Sequence, residues 1–246
     1  MLILLPPSEG KAAAGDGPRL DLETLSRPEL TPVRERVLQA LVDLCRGPEG
    51  TALEVLGLSE GQKDALTRNG ALREAPALRA RELYTGVLYD HLRLNELDDA
   101  ARAKVVIFSG LWGALGADDR VPPYRLAMGV RLPPLGALAG VWRPALTEAL
   151  RPDGLVVDMR SAPYAAAWKR PSVGVRVLKE RIVDGAAKRS VVSHMAKATR
   201  GSIAHDLLTH GIEARTQEEL AKALGELGHT VESPRVGTIE VIISDE

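Results

Sequence analysis

Apolar residues fall in short unbroken runs separated by stretches where they recur at helical spacing, the pattern of strands interleaved with helices. Residues 2–5 read as a buried strand, and Pro6-Pro7-Ser8-Glu9-Gly10-Lys11 as a loop leaving its end. Residues 12–30 carry no period. Thr31 is placed as an N-cap with Pro32 at the first helical position, and Val33, Val37, Leu38, Leu41, Val42 and Leu44 form a stripe that ends near Gly47-Pro48. Residues 51–56 and 59–69 read as two short helices around Gly57, with Ser59 and Gln62 spaced as a capping box. Further helix reaches about Ala103, broken at Pro76 and at Thr85-Gly86.

The second half starts with a strand over residues 105–108. A helix follows over 143–150, a core strand over 155–157 and a short helix over 163–168. Val173, Val175, Val177 and Asp184-Gly185 predict a hairpin whose return strand is 190–194. Residues 196–210 read as a helix closed by Gly211, residues 216–227 as a helix opened by a Thr216/Glu219 capping box, and 236–243 as a final strand. Strands and helices alternate without a clean βαβ repeat. The expected fold is therefore a single mixed-sheet domain over residues 1–246, of the α/β or α+β class, with no internal repeat or linker.

One stretch departs from ordinary core sequence. Behind the apolar run that ends at Phe108 comes SGLWGALGADDRVPPYRLAMGVRL, where glycines, Pro122-Pro123 and arginines crowd together, as in an irregular segment delivered to a surface by a strand. A connection that merely turns the chain would look the same. This segment resembles the SGLYG…PYRLEMG region of the YaaA peroxide-stress protein family. LPPSEGK at 5–11, LYTG at 83–86, Ser161 and Tyr164 in DMRSAPY, and AKATRG at 196–201 match the same family in order along the chain. The resemblance implies an uncommon mixed α/β fold with a helix-hairpin-helix element. It also implies a cytosolic bacterial protein that binds DNA and limits peroxide damage by lowering free iron.

Composition narrows the alternatives. The 246 residues are 45% apolar and 26% charged, enough for a full core. The lone cysteine, Cys45, excludes an intramolecular disulfide, a thiolate zinc site and an iron–sulfur cluster within one chain. MLILLPP lacks a basic start and ends in prolines, unlike a signal peptide, and no run reaches the ~18 apolar residues of a membrane span, so a cytosolic protein without a membrane partner is expected. The net charge of −1 hides an asymmetry: residues 168–200 carry nine cations against two acids, and residues 201–246 three against nine. Solvated faces of a hairpin would give the same count.

Candidate chemistry is cationic. Lys11 with Ser8 and Gly10 sits where a strand-end loop can meet an anion, although the spacing is not that of a P-loop. Arg125 and Arg131 suit bidentate capture of phosphate or carboxylate unless Asp118, Asp119 and Asp158 engage them structurally. Lys197 and Arg200 share a helix face near the expected helix start, where a bound anion would relieve their opposition to the macrodipole, and Ser161 and Tyr164 supply hydroxyl donors. Gly57, Ser59 and Gly61 are the candidate hairpin contacts to phosphate, in competition with an ordinary helical connector.

The five histidines show no HExxH or i, i+4 pair, Cys45 reads as packed, and Ser109 lacks the preceding glycine of a nucleophile elbow. No catalytic residue, metal site or cofactor is assigned. The leading expectation is binding of duplex DNA, with weak sequence preference, in a basic cleft of Lys11, Arg125, Arg131, Lys197 and Arg200 aided by the 169–189 hairpin. The alternative is an enzyme that holds a small phosphorylated or nucleobase ligand with the same cations and keeps Ser161 or Tyr164 near the reacting group. A third reading has the protein act on iron through a partner.

Overall fold

The computed structural model describes residues 1–13, 15–183, 186–191 and 193–244. Strand β1 (Leu2–Leu5) is apolar and buried. Two 3-10 turns, Leu22–Thr24 and Pro28–Leu30, lead into helix α1 (Thr31–Arg46). The second turn runs straight into the helix, so Thr31 is already helical, Leu30 occupies the cap and the Thr31 hydroxyl is buried without a partner. Thr31 is therefore not the N-cap. Helices α2 (Glu49–Leu56) and α3 (Asp64–Gly70) are joined through Gly57, whose φ of 63° closes α2, and a 3-10 turn over Glu60–Gln62. The Ser59/Gln62 capping box forms there.

Strand β2 (Leu78–Arg79) and short helices α4 (Ala80–Leu83), α5 (Val87–Leu92) and α6 (Asp99–Arg102) lead to β3 (Val105–Ser109). The glycine-rich segment folds into β4 (Gly113–Leu115), β5 (Arg120–Val121), β6 (Arg131–Leu132) and β7 (Gly136–Ala137), all short. Helix α7 (Leu138–Ala149), β8 (Val156–Asp158) and α8 (Ala162–Ala166) follow. Next come the long β9 (Val173–Val183), β10 (Ala186–Val191) and α9 (Ser193–Thr209). The return strand thus lies earlier than 190–194, because the helix has begun by Ser193; the Asp184-Gly185 turn lies outside the described residues.

The chain closes with α10 (Gln217–Glu226), β11 (Thr230–Arg235) and β12 (Thr238–Ser244). The single terminal strand expected is a hairpin, turned at Gly237 with φ 77°. Only half of the second capping box forms: Thr216 Oγ1 accepts from the Glu219 N–H at 3.2 Å, but the Glu219 carboxylate accepts from Arg215 N at 2.7 Å. Thr216→Ala should still cost about 1 kcal/mol, read from the urea midpoint.

One mixed sheet of eight strands organises these elements in the order β11-β12-β9-β8-β1-β3-β4, with β10 also paired to β9. Strands β12, β9, β8, β1 and β3 run parallel, while β11, β4 and β10 pair antiparallel at its margins. From β1 the chain crosses to β3 on one side and later returns to β8 on the other. The crevice beyond the carboxyl ends of β1 and β8 is therefore a topological switch point, where open parallel sheets bind ligands.

Buried cations hold the irregular parts in place. Arg34, fully buried on α1, donates to the carbonyls of Ser26, Trp112 and Ala114 at 2.8, 3.1 and 2.9 Å and to that of Arg27 at 3.3 Å. Arg160 pairs with Asp158 at 2.7 Å and lies 4.2 Å from the centroid of the Phe108 ring.

Candidate anion-binding site

The switch point holds a cavity of about 390 Å³. Its walls come from the loop after β1, the turn into α5, residues 124–127, the start of α8 and one face of α9. Lys11, Arg125, Ser161, Tyr164, Lys197 and Arg200 all line it, so folding gathers six candidate residues from four distant segments. Four of these are cations, and Glu9 is the one carboxylate among the lining residues. Arg131 lies on β6, exposed and outside the lining, and Gly57, Ser59 and Gly61 sit in the α2–α3 connector, also outside it.

Backbone pairing sets the position of Lys11. Ala12 N–H donates to Leu83 O at 2.8 Å and Thr85 N–H to Gly10 O at 3.3 Å, which stitches the 6–12 loop to the start of α5. The Lys11 ammonium donates to Ser8 O at 2.8 Å and lies 4.5 Å from the centre of the Tyr124 ring and 5.5 Å from that of Tyr84. No carboxylate forms an ion pair with it among the described residues. Burial, then the nearby Arg125, lower its pKa to about 7 against the opposing pull of Glu9.

Asn69 clamps the neighbouring cation. Its buried amide accepts from the Arg125 N–H and donates to Arg125 O, both at 2.9 Å, pairing like a strand partner. The guanidinium then reaches Glu9 at 3.4 Å. None of the three aspartates that might have engaged Arg125 or Arg131 does so. Asp118 binds Arg81 and Arg102, Asp119 accepts from Ser26 and Gly116, and Asp158 holds Arg160.

Lys197 and Arg200 lie in the second turn of α9, not at its free N–H groups, because the helix starts at Ser193. Any anion here is met by side chains alone, and the macrodipole argument falls away. Arg200 spends Nε and Nη2 on Val175 O at 3.2 and 3.0 Å, leaving Nη1 unbonded among the described residues; Lys197 is exposed and unpartnered among them. The basic hairpin contributes less than its charge suggested. Arg176 pairs with Glu240 at 2.7 Å, and Arg189 with Glu180 at 2.8 Å and Glu232 at 2.7 Å, so the acidic C-terminal strands engage two of its cations.

Hydroxyls complete the site. All four tyrosines of the chain gather here: Tyr89, Tyr124 and Tyr164 line the cavity, and Tyr84 stacks on Tyr89 at 5.4 Å. The Ser109 hydroxyl accepts from the N–H groups of Leu111 and Trp112, which fills both its lone pairs. It must therefore donate to Tyr124 at 2.6 Å, and the Tyr124 and Tyr84 hydroxyls share a further hydrogen bond at 2.9 Å. Burial holds both phenols well above their ordinary pKa. Burial raises the Tyr164 pKa, with the Met128 backbone opposing, so its hydroxyl keeps its hydrogen at neutral pH.

Tyr89, Tyr124, Thr85 and Glu9 belong to the site although sequence reasoning left them out. The signal was the tyrosines: only 3% of residues are aromatic, and Tyr84, Tyr124 and Tyr164 stand inside the family-like segments. Among the described residues, no group of three or more His, Cys, Asp or Glu is placed to hold a metal ion, and no helix is long and apolar enough to cross a membrane.

A family model described as peroxide stress protein YaaA matches residues 1–233. A UPF0246 protein of Streptomyces coelicolor is 51% identical over 241 residues, covering 95% of this chain and 92% of the relative. UPF0246 proteins of Corynebacterium efficiens and Corynebacterium glutamicum are 41% and 37% identical, each alignment covering 94% of this chain and 95% of the relative.

Proposed function

This chain belongs to the peroxide stress protein YaaA family, and we propose that it serves peroxide protection in the cytosol by binding DNA phosphates at the switch-point cavity. One observation carries this reading: four basic side chains from three separate segments share one cavity with a single carboxylate. Such contacts grip phosphate without reading bases, so sequence preference is weak. Arg131 and the Gly57–Gly61 connector would contribute only where a bound duplex extends past the cavity.

The test is duplex affinity across a salt series. With three to four phosphates neutralised, log K against log salt should slope at about −3, and Lys197→Ala should reduce the slope by about 1. A flat or absent signal overturns the reading. Metal analysis of the purified protein tests whether it binds iron directly, the alternative to acting on iron through a partner.

The half-buried Lys11 and the tyrosine-lined walls favour a second reading, in which a small phosphorylated or nucleobase ligand occupies the cavity. Strong thermal stabilisation by a nucleotide, with none by duplex, would select it.

A further inference from the structure

We propose that Lys11 is a nucleophilic amine that condenses with the carbonyl of a sugar phosphate held by Arg125, Lys197 and Arg200. The inference rests on the phosphate-binding reading of the cavity and adds a covalent step to it. An ammonium that served only to attract anions would be expected to keep its contact with water. Lys11 instead lies against two tyrosine rings, without an ion pair among the described residues, and its one hydrogen-bond partner there is the carbonyl of Ser8. Burial, then the neighbouring Arg125, nonetheless favour the uncharged amine over the pull of the ring faces, the Ser8 carbonyl and Glu9, and its lone pair is the nucleophile. With its pKa near 7, a large fraction is uncharged at neutral pH.

The rest of the cavity matches the substrate class. Arg125, Lys197 and Arg200 offer cationic donors to a phosphate, and Tyr164 has a hydroxyl hydrogen to give to the carbonyl oxygen as it leaves. The Lys11 nitrogen forms the new bond to the carbonyl carbon. The oxygen departs as water carrying the equivalent of the two amine hydrogens, because Tyr164 recovers from the nitrogen the proton it gave to the oxygen, and the product is an imine. No oxidant or reductant is consumed. Radicals derived from peroxide oxidise sugars and leave carbonyl-bearing sugar phosphates, which ties this chemistry to the family's stress.

Such a carbonyl can be free or part of a strand, and two probes separate the sources: ribose 5-phosphate, and a duplex with one abasic site, whose ring-opened sugar is an aldehyde. Each is incubated with the full chain and cyanoborohydride, and the adduct is located by peptide mapping. Lys11 should carry the adduct among the eight lysines of the chain, with a rate that rises through pH 7 rather than near 10. Lys11→Arg and Lys11→Met, with thermal midpoints confirming the fold, should lose it roughly tenfold or more.

An unchanged adduct pattern in both variants, or no adduct at Lys11 in either arm, overturns the proposal. Salt-dependent binding of the intact duplex without any Lys11 adduct would refute the imine and spare the phosphate reading. A Lys11 adduct with ribose 5-phosphate but no duplex binding would support the imine and remove nucleic acid as its source.

Discussion

Arg34→Met is expected to destabilise the protein by about 4 kcal/mol, a fall in thermal midpoint of roughly 10 °C for a chain of this size. The guanidinium is fully buried and donates to four main-chain carbonyls, two in the turn before α1 and two in the β4 region. Methionine fills much of the volume but leaves these carbonyls without donors, and each buried acceptor left unmet costs about 1–3 kcal/mol before water or rearrangement recovers part of it. Burial lowers the arginine's pKa to about 10, with Asp119 opposing the shift, so the group is still charged at neutral pH. Arg34→Lys keeps the charge, loses the planar fork and should fall between the two. Calorimetry provides the readout, and a loss below about 1 kcal/mol would mean that water replaces the guanidinium at little cost.

Gly201→Ala should cost about 3 kcal/mol and also weaken ligand binding about tenfold. A methyl at residue 201 would stand 2.2 Å from the Leu88 carbonyl oxygen and 2.8 Å from the His91 Cβ, so α5 and α9 must separate. Both helices furnish walls of the cavity, α5 through Leu88 and Tyr89 and α9 through Lys197 and Arg200. The damage therefore reaches the site without touching a ligand-facing group. Gly140→Ala is the control. That glycine lies inside α7 with no atom within 4 Å of the added methyl, and the same change there should stabilise by about 0.5–1 kcal/mol. Equal effects at the two positions would reject close helix approach as the cause.

The local parts of the fold were legible wherever pattern and chemistry agreed. Residues 2–5, 105–108 and 155–157 were recognisable as strands because apolar side chains cover them on both faces, and α1 and α10 because their stripes keep a helical period. The Thr31 cap was misplaced because the Pro28–Leu30 turn, a short 3-10 piece with no pattern of its own, merges into α1. Strand β11 escaped notice because most of its residues are exposed polar groups on an edge. Arg34 and Arg160 look like any surface arginine in a sequence, since their partners are mainly carbonyls and a neighbouring aspartate placed by tertiary structure.

The site was half legible. Lys11, Arg125, Ser161, Tyr164, Lys197 and Arg200 were selected from spacing and family likeness, and they do share one cavity. What sequence could not show is which cations are neutralised. Arg176 and Arg189 meet glutamates that follow them by dozens of residues, and those pairings depend on β12 lying beside β9.

The walls of the cavity extend from Pro6 to Arg200, so the site exists only when nearly the whole chain is in place. A fragment ending before α9 keeps Lys11 and Arg125 but has no far wall. An occupant would bridge both halves of the domain. Occupancy should therefore be visible as resistance to trypsin along the entire polypeptide rather than at one loop.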